Sequence, residues 1–285
     1  MKATERNINT RHGRIRVSDT EGSGLPLLLL HGSSSSRKVF ERQCRPRLLE
    51  KTRILALDLP GHGESDDAHD PEVAYTLPGL ADTIEEVLEK IGIGSLAVFG
   101  WSLGGNVAIE MLARASFVEG LLIAGTPPVA PGLIGLLRGF HASFDLMLAS
   151  KPQWSERDIE RFEINCFGHS ATPDIRNALA RADGQFRSIF SHSLMRGDGY
   201  NQRRAVLDAD VPVFIVHGAE DPFIRHNYLA GFENLAHQRP VVQIEGAGHA
   251  AFREKPEPFN AVLEQFVDTV LDNRRKLSPR AASFA

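Results

Sequence analysis

The chain has 285 residues, with 32 Lys+Arg against 36 Asp+Glu for a net charge of −4. Hydrophobic residues make up 42% and charged residues 24%, the balance of a globular protein whose large core needs no staples. The mild acidity excludes bulk electrostatic attraction to nucleic acid or an anionic membrane as the main activity. The longest apolar run, Leu25-Pro26-Leu27-Leu28-Leu29-Leu30, is far short of the ~20 residues of a spanning helix. MKATERNINT at the start carries no apolar stretch, so the expectation is an unprocessed, cytoplasmic chain without membrane or nucleic-acid partners. Cys44 and Cys166 are too few for a disulfide framework or a thiolate zinc site.

In chain order, short apolar runs occur at Leu27–Leu30, Arg53–Leu57, Leu96–Phe99, Leu121–Ala124, Val211–Val216 and Val241–Ile244. Most are bounded by Gly, Pro or Asp, as expected for parallel strands covered on both faces. Leu80, Ile84, Val87, Leu88 and Ile91 recur at helical spacing, as do Phe259, Val262, Leu263, Phe266, Val267 and Val270. The alternation predicts an α/β fold with a mostly parallel, doubly wound sheet. Thr126 to Ala209 breaks the rhythm with four helical stretches, Leu133–Leu148, Ser155–Phe167, Pro173–Ala182 and Phe186–Met195. The expected organisation is a core of residues 1–125 and 210–285 with a helical cap of residues 126–209 over the C-terminal sheet edge. The tail after Asp272 reads as polar and frayed.

Gly100-Trp101-Ser102-Leu103-Gly104 lies between the strand SLAVF and the helical NVAIEMLARA. A bare GxSxG is a weak signal, but strand–turn–helix context is what a nucleophile elbow requires. A serine hydroxyl needs a base. His249, in Gly246-Ala247-Gly248-His249-Ala250, follows the last expected strand and is the candidate. GAGHAA also spells a GxGxxA fingerprint, but that motif belongs in an early βαβ unit. Asp221, after the strand VPVFIV, is the candidate acid, with Glu220 as its neighbour and competitor. The backbone N–H groups of Leu103 and of Ser33, in His31-Gly32-Ser33-Ser34, are candidate oxyanion donors. Gly32, Trp101 and Phe162 are the expected substrate-binding residues. His62, flanked by glycines in Asp58-Leu59-Pro60-Gly61-His62-Gly63, reads as structural. The scattered His12, His69, His141, His169, His192, His226 and His237 lack ligand spacing, and most of them read as surface residues. Neither HExxH nor HxHxDH occurs, and neither a metal nor a cofactor is expected.

LLLLHG, DLPGHGES, GWSLGG, HGAEDPF and GAGHAAF, in this order, resemble the α/β-hydrolase superfamily over Arg14 to Val270. The order Ser102, Asp221, His249 is that family's triad order. GWSLGG, AGTPPVA, SERDIERF, NQR and GHAAFREKPEPF are similar to its metal-free N-acyl-homoserine lactone lactonases. That resemblance implies hydrolytic opening of the lactone ring of quorum-sensing signals. A close member of that group carries glutamate at the position of Asp221, asparagine at Ser33 and tyrosine at Phe162. Phe162 has no hydrogen to donate, so substrate preference can differ. Epoxide hydrolases and haloalkane dehalogenases of the fold use an aspartate nucleophile, which Ser102 argues against. Phe140, Phe144, Met147, Phe162, Phe167, Phe186, Phe190 and Met195 are expected on the inner faces of the cap helices, or, if several line the pocket instead, against an apolar acyl group of the substrate. The expected activity is a serine hydrolase acting on a small ester or lactone. A general medium-chain carboxylesterase and a non-catalytic small-ligand receptor are the alternatives.

Overall fold

The computed structural model describes residues 3–142, 147–232 and 240–282, with side chains as far as Leu277. Its strands are β1 (Thr4–Thr10), β2 (Gly13–Asp19), β3 (Leu25–Leu30), β4 (Thr52–Leu57), β5 (Leu96–Trp101), β6 (Val118–Ala124), β7 (Val213–Gly218) and β8 (Val241–Ile244). They form one sheet in the order β1-β2-β4-β3-β5-β6-β7-β8. β1 and β2 pair antiparallel, as do β2 and β4, and every later pairing is parallel.

Period-two alternation divides the side chains of the parallel strands between two cores. Leu28, Leu30, Leu55, Leu57, Val98, Leu121 and Ile215 face one layer. Leu27, Leu29, Ile54, Phe99, Leu122, Phe214 and Val216 face the other. Helices α1 (Leu77–Ile91) and α2 (Leu103–Arg114) cover the first face through Leu80, Ile84, Val87, Val107 and Met111. The long C-terminal helix, Pro256–Ala282, covers the second through Phe259, Leu263, Phe266 and Val270. Both apolar stripes read from the sequence are therefore core faces.

The β1–β2 hairpin was not among the expected strands. TERNINT is almost wholly polar, and its residues alternate between exposed and half-buried. Only Ile15 and Val17 of β2 reach the core. Continuous apolar runs mark covered parallel strands, not a half-wet hairpin. The tail differs too, since the C-terminal helix continues past Asp272 to Ala282. Arg, Lys, Leu and Ala there are good helix formers. An ion pair of Arg274 with Glu119 and a hydrogen bond to Ser95 tie the segment to the core.

Between β6 and β7 the described residues contain α3 (Gly132–Gly139), α4 (Glu156–Phe167), α5 (Pro173–Arg181), α6 (Gly184–Arg196) and α7 (Gln202–Leu207). Local chemistry sets their starts. Ser155 and Asp158 form a capping box, while the Thr172 and Asp183 side chains accept N-terminal amides. The expected helix Leu133–Leu148 stops at Gly139. Phe140 bridges Ile224, His141 N–H donates to Phe223 O, and Arg225 N–H donates to Gly139 O, which diverts the backbone from helical pairing. Phe162, Phe167, Phe186 and Phe190 are buried, but Met147 and Met195 are exposed and so do not lie on inner faces. Phe144 and His237 lie outside the described residues. These helices seat on loops that follow the strands. Arg181 donates to Ser65 O and Gly61 O, Asp183 N–H donates to Gly61 O, and Tyr75 O–H donates to Asp183. No described helix is long and apolar enough to cross a membrane.

Candidate active site

Strand order directs where a site forms. β3 lies between β4 and β5, so the chain runs to one side of β3 and then to the other. Loops leaving the C-terminal ends of β3 and β5 diverge at such a switch point and open a crevice. The β3 loop carries His31–Ser36 and the β5 loop carries Ser102. The two pass very close together. A Cβ on Gly32 would sit 2.8 Å from the Trp101 ring and 3.2 Å from Ser102 Cβ, so only glycine fits there.

Ser102 has φ 54° and ψ −119°, an unfavourable backbone for a non-glycine residue. It follows β5 directly and precedes the first turn of α2, the strained strand-to-helix setting that a nucleophile elbow would require. Three bonds hold the strain. Ser102 N–H donates to Ala124 O at 2.8 Å, Thr126 Oγ1 donates to Ser102 O at 2.8 Å, and Asn106 Nδ2 donates to the same carbonyl at 3.3 Å. Gly104 allows the first turn of α2 to press onto the carbonyls of Leu30 and His31, where a Cβ would collide.

His249 Nδ1 and Asp221 Oδ2 lie 2.8 Å apart, and both residues are buried. Asp221 Oδ1 accepts the Phe223 N–H at 2.9 Å. Burial pushes the Asp221 carboxyl upward, but its interaction and hydrogen bond with His249 and the Phe223 N–H outweigh this and hold it below the usual carboxylate range. Glu220 is exposed, and its own N–H is turned to Ala247 O. The imidazole packs edge-on to Phe223 at 4.8 Å and lies against Gly125, where a Cβ would be 3.0 Å from Cε1. Ser102 is bonded to Ala124, so both candidate residues converge on the end of β6. Among the described residues no hydrogen bond joins Ser102 Oγ to His249, whose Nδ1 engages Asp221 and whose carbonyl accepts from Trp101.

The β3 loop is not a solvated serine tract, because Ser34, Ser35 and Ser36 are buried. Two histidines pin it to the β4 loop. His31 Nδ1 faces Gly32 O at 2.8 Å while its Nε2 accepts the Leu59 N–H. His62 Nδ1 faces Pro60 O at 2.9 Å while its Nε2 accepts the Ser34 N–H at 3.0 Å. Both rings must then be neutral, with the proton on Nδ1. Burial depresses both, and His62 is driven well below the ordinary histidine value. Beneath them Arg37 pairs with Asp58, Glu5 and Glu64. Ser33 is half-exposed beside this scaffold. The Leu103 N–H opens α2 and has no intrahelical acceptor.

Trp101 is fully buried, and its indole N–H donates to His249 O at 3.0 Å. It ties the serine turn to the histidine loop, a role its place before Ser102 did not announce. Thr126 and Asn106 were also missed, since a Thr in a Gly-Thr-Pro-Pro turn carries no chemical signature. Phe162 is buried against Trp154, ring centroids 4.7 Å apart. Of the scattered histidines, His69, His141, His169 and His192 are exposed as expected of most, while His12 is buried and His226 half-buried. His12 is itself part of the turn between β1 and β2. Among the described residues no group of three or more His, Cys, Asp or Glu is arranged to hold a metal ion.

Residues 27–262 carry the pattern of the alpha/beta hydrolase family. The structure matches a crystal structure of the N-acyl homoserine lactonase AidH complexed with N-butanoyl homoserine, with a TM-score of 0.88 and 39% identity, covering 94% of this chain and 97% of that one. AB hydrolase superfamily protein YisY of Bacillus subtilis is 26% identical over 267 residues, 90% of this chain and 96% of its own length. A pimeloyl-acyl-carrier-protein methyl ester esterase of Aeromonas hydrophila is 28% identical over 255 residues, 86% of this chain and 96% of its own. With this match spanning most of its length, the chain belongs to the alpha/beta hydrolase family.

Proposed function

We propose that this protein is a metal-free serine hydrolase that opens N-acyl-homoserine lactones, with residues 126–209 as the cap over its site. The observation that carries the reading is the 39% identity to the lactonase AidH across nearly the whole of both chains, joined to the buried His249–Asp221 pair beside a strained Ser102. Nδ1 of His249 is engaged by Asp221, so Nε2 is the nitrogen left to act as base. In this reading Ser102 Oγ attacks the lactone carbonyl carbon while Nε2 takes its proton. The developing oxyanion is met by the N–H groups of Ser33 and Leu103. Collapse breaks the ring C–O bond, and the imidazolium returns its proton to the departing oxygen. That leaves N-acyl-homoserine esterified to Ser102. A water deprotonated by the same imidazole then attacks the ester, and Ser102 leaves with the proton. Asp221 stays ionised and stabilises the imidazolium in both halves. Gly32, Trp101 and Phe162 border the substrate in this scheme.

The similarity to a methyl ester esterase supports one second reading, a carboxylesterase on simple acyl esters. Phe162 favours it, because an apolar wall offers nothing to a polar lactone or amide oxygen. Acid release from acyl-homoserine lactones of several chain lengths, beside p-nitrophenyl esters, separates the two. The lactonase reading expects lactone turnover at a kcat/KM no lower than that for the esters. Ester turnover with lactones untouched overturns it in favour of the esterase.

A further inference from the structure

Arg187 belongs to α6, yet its side chain ends on the loop that follows β3. Nη1 donates to Ser34 Oγ at 3.1 Å, Nε to Lys151 O at 2.8 Å and Nη2 to Pro152 O at 2.8 Å. The guanidinium also lies over the Trp154 ring at 4.1 Å, and Trp154 packs at a tilt against Phe162. Only 4% of the residue is exposed. Burial pulls its pKa down to about 10, so it remains charged at neutral pH. A buried cation whose hydrogen bonds all go to uncharged oxygens is a poor way to gain stability. A planar fork that reaches three fixed acceptors at once is a good way to hold backbones in register.

Its target is a strained residue. Ser34 has φ 58°, a left-handed backbone that a serine adopts only when held. Two groups hold it: His62 accepts its N–H, and Arg187 donates to its hydroxyl. Ser33, the residue immediately before it, carries the N–H that serves as oxyanion donor in the mechanism above, one peptide upstream of the bond that His62 holds. We infer that Arg187 is a positioning residue that sets the Ser33 oxyanion donor only when α6 is seated, coupling the cap to the catalytic core. This rests on the serine-hydrolase reading above. Arg187 touches no reacting atom in it and acts through Ser34. The same side chain orients the Trp154–Phe162 wall, so substrate enclosure and oxyanion geometry share one brace.

The test compares Arg187→Met, Arg187→Lys, Ser34→Ala and the Arg187→Met/Ser34→Ala double variant, using p-nitrophenyl acetate, whose small acyl group makes little use of the cap. Ser102→Ala serves as the control for the reading itself. Misplacing an oxyanion donor by about an ångström lowers turnover, so Arg187→Met is expected to lose about 10²-fold in kcat with KM changed by less than about threefold. Ser34→Ala is expected to lose about tenfold in kcat, and the double variant to be no worse than Arg187→Met because the two share one contact. Arg187→Lys falls between wild type and Arg187→Met. Thermal unfolding of each variant separates turnover loss from misfolding, and Ser34→Ala deletes a single acceptor should the Arg187 variants fail to fold. An inactive Ser102→Ala beside Ser34→Ala within about twofold of wild type in kcat overturns the inference and leaves the hydrolase standing. An effect confined to KM, or losses that multiply in the double variant, overturns it equally. A fully active Ser102→Ala removes the underlying reading and this inference with it.

Discussion

His62 offers a perturbation whose size follows from the geometry. Its Nε2 must stay unprotonated to accept the Ser34 N–H, and Nδ1 is committed to Pro60 O. The ring has no solvent exposure. Burial is the main force lowering its pKa; neighbouring His31 adds to it, the Pro60 carbonyl opposes it, and Arg187 and Arg181 add further repulsion. In the unfolded chain the imidazole titrates near 6.5. A depressed folded value means that the stability contribution is fully present above about pH 6.5 and is lost as pH falls below it toward the folded value. For one histidine that stays neutral when folded, linkage gives a loss of about 2 kcal/mol between about pH 7 and about pH 5. Urea unfolding at several pH values across that interval measures it, comparing wild type with His62→Gln, whose amide oxygen can still accept from Ser34. The wild-type curve should fall by about 2 kcal/mol more than the variant's. His31 and His12, also lowered, and Glu85, Glu110 and Glu254, raised and therefore of opposite sign, are present in both proteins and cancel in the comparison. Parallel curves would refute the assignment of a neutral, hydrogen-bonded His62.

Thr126→Val keeps the shape of the side chain but removes the hydroxyl that donates to Ser102 O and Ala124 O; chemical denaturation should show a loss of about 1–2 kcal/mol, with turnover falling alongside it. Gly104→Ala drives a Cβ into the carbonyls of Leu30 and His31, and overpacking of this kind should cost about 1–3 kcal/mol by the same assay. Prolonged dialysis against a chelator should leave ester or lactone turnover unchanged, and activity restored only by an added divalent ion would contradict the metal-free mechanism.

The inner strands were readable because each is apolar on both faces, as Leu27–Leu30 shows with every residue fully buried. β1 was not readable, because its sequence is polar, only Ile8 packs against the core, and its place is set by pairing with β2. α3 was overextended, since nothing local in Gly139-Phe140-His141 announces that a segment some 80 residues onward will capture its backbone. The site divides the same way. Ser102, Asp221 and His249 each sit in a short turn whose glycines and position after a strand mark it. Arg187 is 153 residues from the serine it holds, and nothing in GQFRSIF distinguishes it from a surface arginine. The histidine pair His31 and His62 was visible as motif residues, but their shared task of pinning one loop to another emerged only from the bonds.

In the proposed mechanism Ser102 is the group that becomes acylated. Incubation with a p-nitrophenyl phosphonate, followed by peptide mass spectrometry, tests it directly, because such a probe traps only an activated hydroxyl. A single adduct is expected on the peptide containing Ser102, absent from Ser102→Ala and formed far more slowly in His249→Ala. Modification of a different residue, or an enzyme that hydrolyses its substrate while Ser102 stays unlabelled, would contradict it.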